Sequence, residues 1–194
     1  MGLLLLSAGL MLFIGGHLVT TRRDFRAELI GRFGEGPYKI LYGVVALLGI
    51  VLIAYGFGRY RATGWIDVWQ PPPLLRLLGS ALMWPSVVLV VAAYLRGRIY
   101  ATLKHPMLAG VKLWAFAHLL ANGDLGSILL FGAILAWAVY DRISLKGRSD
   151  AGGPPIPVGG IGNDILAIAV GTVAYLALAL VFHPVVIGVP VVGS

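Results

Sequence analysis

The chain has 194 residues, of which 59% are hydrophobic and only 12% charged, with a formal net charge of +7 and a mean hydropathy of +0.90. Such values exclude a soluble globular domain and a disordered chain, and the length suits one domain over 1–194, a single bundle of short-looped helices. Cysteine is absent, which excludes disulfides, iron–sulfur clusters, thiolate nucleophiles, thiolate axial ligands and covalent c-type haem attachment.

About 20 apolar residues cross a bilayer core of roughly 30 Å, and on that measure the sequence predicts spans at 2–20, 38–57, 74–95, 107–121, 125–140 and 161–182. The expected fold is all-α, an integral membrane bundle of about six transmembrane helices. The first span lacks a basic n-region and an A-x-A site, so it reads as a retained helix. Beyond it Phe25, Leu29 and Phe33 recur every four residues among Arg22, Arg23, Arg26, Glu28 and Arg32, the pattern of an amphipathic helix continuing onto the membrane surface until Gly34-Glu35-Gly36-Pro37. Tyr60, Trp65 and Trp69 follow the second span as an aromatic belt, and Pro71-Pro72-Pro73 stiffens the approach to the third. Pro85 is expected to kink that helix and release the carbonyl of Ala81. The fourth and fifth spans are short, and Asn122-Gly123-Asp124 between them predicts an antiparallel hairpin. Residues 151–160 read as a flexible Gly/Pro-rich loop. The 27 glycines are about twice the usual frequency of roughly 7%, which in lipid signifies close helix packing.

Charge orients the predicted bundle. Arg22, Arg23, Arg26, Arg32 and Lys39 flank the first loop, Arg96, Arg98 and Lys104 the third, and Arg142, Lys146 and Arg148 the fifth. The second has Arg59, Arg61 and Arg76. By the positive-inside rule the odd loops are cytoplasmic and both termini lie outside a bacterial inner membrane. Topology and anionic lipid account for the basic balance, so nucleic acid is not an expected partner.

Against this background the four histidines stand out, because an imidazole in lipid needs a partner, a ligand or a proton path. On a helix Gly110, Val111, Trp114, Ala115 and Ala121 share the face of His118. That niche has room for a flat hydrophobic small molecule with Trp114 as a wall, or else it is a helix interface to which His118 hydrogen-bonds. Gly9, Leu10, Phe13 and Ile14 share the face of His17, which could also snorkel toward the interface. His105 and His183 each precede proline, which places both at helix boundaries.

The run Leu113-Trp114-Ala115-Phe116-Ala117-His118, followed by Leu119-Leu120-Ala121-Asn122-Gly123-Asp124, resembles the NnrU family of bacterial inner-membrane proteins associated with denitrification. Gly16-His17 and the closing His183-Pro184 with Gly188-Val189-Pro190 add to the likeness. That family is similar to the zeta-carotene isomerases, which are haem b proteins. The resemblance implies His17 and His118 as axial iron ligands; His105 and His183 are the alternates that helical depth offers. A cysteine proposed as a redox-switched ligand in the isomerases corresponds to Ala115. Low-spin iron between two histidines implies a redox or regulatory role in nitrite or nitric oxide metabolism ahead of carotenoid isomerisation. Haem propionates need cations, and Arg22, Arg23, Arg96, Arg98 and Lys104 supply them. Depth along the helices gives a different pairing: at about 1.5 Å per residue His17 lies roughly 22 Å from the outer end and His118 only about 6–9 Å, which matches His118 with His183 and His17 with His105.

Two further readings stay open. Lys104-His105-Pro106-Met107-Leu108-Ala109-Gly110 resembles part of the R-H-P-x-Y-x-G stretch of membrane methyltransferases that use S-adenosylmethionine, without the adjacent glutamates that follow there. A non-catalytic assembly factor for a respiratory complex also suits the polar-poor interior. A hydrolase or metalloprotease is excluded by the lack of a nucleophile–base set and of a helical histidine pair at metal spacing.

Overall fold

The computed structural model describes residues 1–147 and 157–191. Its helices are α1 (Gly2–Thr21), α2 (Arg23–Phe33), α3 (Glu35–Thr63), α4 (Pro73–Leu95), α5 (Arg98–Leu103), α6 (Pro106–Ala121), α7 (Leu125–Lys146) and α8 (Ile161–Ala177), the last running on into a π-helical extension, Leu178–Ile187. Five are long and apolar enough to span a bilayer: α1, α3, α4, α7, and α8 with its extension; α6 is apolar but shorter. The protein is a multi-pass all-α membrane bundle. All the apolar runs form helices, the second and fifth longer than their hydropathy indicates because Glu35 to Lys39 and Asp141 to Lys146 carry polar residues on helical backbone. Arg148 and most of the 151–160 loop lie outside the described residues. The chain divides into two compact units, Met1–Gln70 with Gly123–Ser144, and Pro71–Asn122 with Leu145–Ser194.

In the first unit α1 and α3 pack antiparallel through small residues. A Cβ on Gly9 would lie 2.7 Å from Ile53 N, and one on Gly49 only 2.9 Å from Phe13 Cβ, while Gly56 abuts the Leu6 backbone and Gly2 that of Tyr60. Glycines at these steps bring two backbones together where lipid supplies no hydrophobic drive, and the buried Leu6 and Leu10 fill what remains. α2 is a separate helix, broken from α1 at Arg22; it rests on α3 with the Arg26 guanidinium 5.8 Å from the Tyr38 ring centroid.

Tyr60 corrects the aromatic-belt reading. It is only 1% exposed, whereas Trp65 is 49% exposed and fits the belt. Its hydroxyl accepts from Ile66 N at 3.0 Å and donates to Ile66 O at 3.2 Å, and Gly126 at the start of α7 packs on its ring. The ends of α1 and α7 therefore meet at one tyrosine, which makes those two helices parallel. Ile66 O also accepts from Leu125 N at 2.9 Å, and Gly123 O accepts from Val68 N at 3.0 Å. Asp124 caps α7, its Oδ1 accepting from Ser127 N at 2.9 Å.

The second unit is organised by α4, which continues through Pro85. α6 runs antiparallel to it: a Cβ on Gly79 would lie 2.7 Å from Ala117 O and one on Gly110 2.8 Å from Ser86 O, and Ser86 Oγ donates to Gly110 O at 2.8 Å. α8 runs antiparallel to α4 on Gly171 against Val88, with Trp84 Nε1 donating to Thr172 Oγ1 at 3.0 Å. At the far end Asp164 (7% exposed) accepts from the backbone nitrogens of Arg98 at 2.9 Å and Ile99 at 3.0 Å. These contacts tie α5 to α8 and make α6 and α8 parallel, both ending beside the start of α4.

Candidate functional site

That parallel arrangement places the ends of α6 and of the π-helical extension at a common level, and there His118 and His183 meet. Their ring centroids are 6.2 Å apart with 30° between planes. No Cα of α6 comes within 8 Å of a Cα of α8 or its extension among the described residues. The two imidazoles thus meet through their side chains.

His118 is held firmly. Its Nδ1 lies 2.9 Å from the carbonyl of Trp114, one turn back, and because a carbonyl can only accept, the proton sits on Nδ1 and the lone pair on Nε2. That backbone bond fixes the tautomer and the orientation of the ring. Trp114 also walls the ring at 5.1 Å between centroids. The His118 carbonyl accepts from Asn122 N at 2.9 Å and from Asn122 Nδ2 at 2.8 Å, so the Asn122-Gly123-Asp124 stretch ends α6 at the histidine and then caps α7. The expected hairpin of these helices falls across the two units. The small-residue niche expected around His118 is partly spent on packing, since Gly110 and Ala121 face α4 at Ser86 and Gly79.

His183 corrects the boundary assignment. Both it and Pro184 lie inside the π-helical extension, which ends only at Gly188 with φ of 73°. Proline has no N–H to give and excludes the regular register around it, so the helix widens and continues. His183 Nδ1 is buried without a hydrogen-bond partner among the described residues, while its carbonyl accepts from Val189 N at 3.2 Å. His105 does stand at a boundary, as the residue before α6.

His17 belongs to the first unit. Its Nδ1 lies 2.7 Å from Phe13 O, the same i−4 clamp as at His118, and its ring is surrounded by Phe13, Trp137 and Tyr42 at centroid distances of 4.2, 4.9 and 5.5 Å. Trp137 and Tyr42 carry no sequence signal, because their approach depends on α7 and α3 folding against α1. Of the other candidates, Arg22 sits at the α1–α2 break beside Trp137 and Tyr140 on the wall of a cavity. Arg98 offers its backbone N–H to Asp164, and Arg96 lies 5.3 Å above the Tyr100 ring. Among the described residues no three His, Asp or Glu side chains gather as a metal site.

The NnrU protein family model matches residues 5–191, so the chain belongs to the NnrU family. Comparison with curated proteins gives no match, and neither does comparison with solved structures.

Proposed function

We propose that this member of the NnrU family binds a b-type haem in the bacterial inner membrane, with both termini outside, and serves a redox or regulatory role that the family's resemblance links to nitrogen-oxide respiration. The observation that carries the reading is the His118–His183 pair, whose ring centroids lie 6.2 Å apart. At that separation His118 and His183 would be the residues to hold the metal. A pair of imidazoles, with no cluster of three ligating side chains among the described residues, suits a metal that would arrive in its own macrocycle. When bound, haem supplies one-electron chemistry at a potential set by its axial ligands and surroundings.

The chain's own part is positional. The Trp114 carbonyl holds the His118 proton on Nδ1 and presents Nε2; the π register presents His183; Trp114 closes one side and keeps water away. Two strong ligands favour electron transfer or sensing over substrate binding, which disfavours an isomerase whose substrate would need one coordination position. His17 has the same tautomer clamp and matches the family's other ligand, so it provides the second reading.

The test is expression with haem supply, followed by an absorption spectrum and a pyridine haemochrome assay. Wild type should show a low-spin b-type spectrum. His118→Ala and His183→Ala should each turn it high-spin or abolish it, and His105→Ala should leave it unchanged. Loss in His17→Ala with retention in His183→Ala would return the pairing to His17 and His118, and a wild type without a Soret band after reconstitution would remove haem altogether.

A further inference from the structure

The first unit contains a cavity of about 580 Å³ between α1 and α7, within the range of roughly 300–1,000 Å³ that small-molecule sites occupy. Most of its wall is apolar and small, with Gly15 on one side and Ala133 and Ala136 on the other. Two donors stand on the same wall. The Arg22 guanidinium has no ion pair or side-chain hydrogen bond among the described residues, and Trp137 Nε1 is buried with no partner at all among them. Among the described residues the lining includes no carboxylate, so its charge complements an anion.

The order of these groups along the membrane normal decides what fits. Arg22 stands where α1 ends, at the interface end of the span, and Ile14, about 12 Å deeper by helical rise, begins the lining. Trp137 is one turn before Tyr140 on α7, which runs parallel to α1, and so lies deeper than the arginine. From the interface inward the cavity offers a cation, then an indole N–H, then an apolar slot beside glycine and alanines. A glycerophospholipid presents its acceptors in that sequence: phosphate, ester carbonyl a few ångströms below it, then acyl chain.

We propose that this cavity is a binding site for an anionic glycerophospholipid, with the phosphate on Arg22, an ester carbonyl accepting from Trp137 Nε1, and one acyl chain between Gly15 and Ala133–Ala136. Filling it satisfies a buried donor and packs against α1 and α7 at once. The site shares no residue with the His118–His183 pair.

Native mass spectrometry of the full-length protein, delipidated in detergent and titrated with phosphatidylglycerol or phosphatidylcholine, tests this. Wild type should bind phosphatidylglycerol at least tenfold more tightly than phosphatidylcholine. Arg22→Gln should bring the two lipids within threefold, and Trp137→Phe should weaken both at least threefold while keeping their ratio. Arg59→Gln, at the opposite end of the same unit, should change neither. Equal affinity of wild type for the two lipids, an unaltered ratio in Arg22→Gln, or displacement of phosphatidylglycerol by millimolar inorganic phosphate, the mark of a simple anion site, would each overturn the proposal.

Discussion

Asp164 is an acid inside an apolar helix, and the structure gives it a task whose removal has a calculable cost. Both carboxylate oxygens are used, Oδ2 by Arg98 N at 2.9 Å and Oδ1 by Ile99 N at 3.0 Å, and the residue is only 7% exposed. Hydrogen bonds to a charged group contribute about 1.5–3 kcal/mol each. Asp164→Ala therefore removes about 3–6 kcal/mol and leaves two N–H groups at the start of α5 unsatisfied. Asp164→Asn keeps one acceptor but sets an NH₂ against the second N–H, so it should fall near half of that loss. Gly97 packs directly on this carboxylate, which makes Gly97→Ala a second way to break the same contact. The assay is SDS denaturation of the purified protein in mixed micelles, followed by circular dichroism. An Asp164→Ala midpoint that corresponds to less than about 0.5 kcal/mol, the range of ordinary surface substitutions, would refute the reasoning.

Tyr60→Phe removes only the hydroxyl that bridges Ile66 N and O; it should destabilise by about 1–3 kcal/mol in the same denaturation assay, with the helical content of the folded state unchanged. Gly49→Leu drives a side chain into Phe13, whose Cβ lies 2.9 Å from the position of a Cβ on Gly49; overpacking of about 1–3 kcal/mol or more should appear as a loss of monodisperse protein in size-exclusion chromatography, whereas Gly43→Leu, with open space around it, should behave as wild type.

Much of this architecture is legible in the sequence because lipid imposes it. Apolar length marks the helices, and the glycine excess announces the close α1–α3 and α4–α6 contacts without saying which faces meet. What the sequence conceals depends on remote partners. Tyr60, between Arg59 and Arg61, looks like an interface aromatic, and only the approach of Gly2 and Gly126 buries it. Gly110 and Ala121 look like space around His118 until α4 is seen to occupy it. Helical rise alone matches the depths of His118 and His183, while the family likeness points to His17; the structure brings the former two together and places His17 in an aromatic cage of the other unit. The pairing was visible as a depth, not as a motif. Asp164 carries no local signal of its task, because its partners Arg98 and Ile99 lie 66 and 65 residues away in the chain.

The His-Pro dipeptide is where a rule for reading sequence fails for a physical reason, and the failure yields a test. A residue before proline is biased away from the α region, so His183 reads as a helix end. Here the chain instead changes register: from Leu178 onward it is π-helical, and Pro184 lies within the run. In an α-helix residue 184 would donate to the carbonyl of Leu180; proline cannot, and its ring would crowd that carbonyl. The wider register avoids the crowding and sets the direction in which His183 projects. Between Leu178 and His183 the α and π registers diverge by roughly a quarter turn, which is ample to swing an imidazole away from His118. Pro184→Ala restores the N–H and permits the α register, so the His118–His183 approach should be lost although both histidines remain. On the haem reading, Pro184→Ala should retain iron through His118 and show a high-spin spectrum, restored toward low spin by added imidazole. A Pro184→Ala protein with an unchanged low-spin spectrum would show that the direction of His183 does not depend on the proline, and that the π register is a packing solution with no part in ligation.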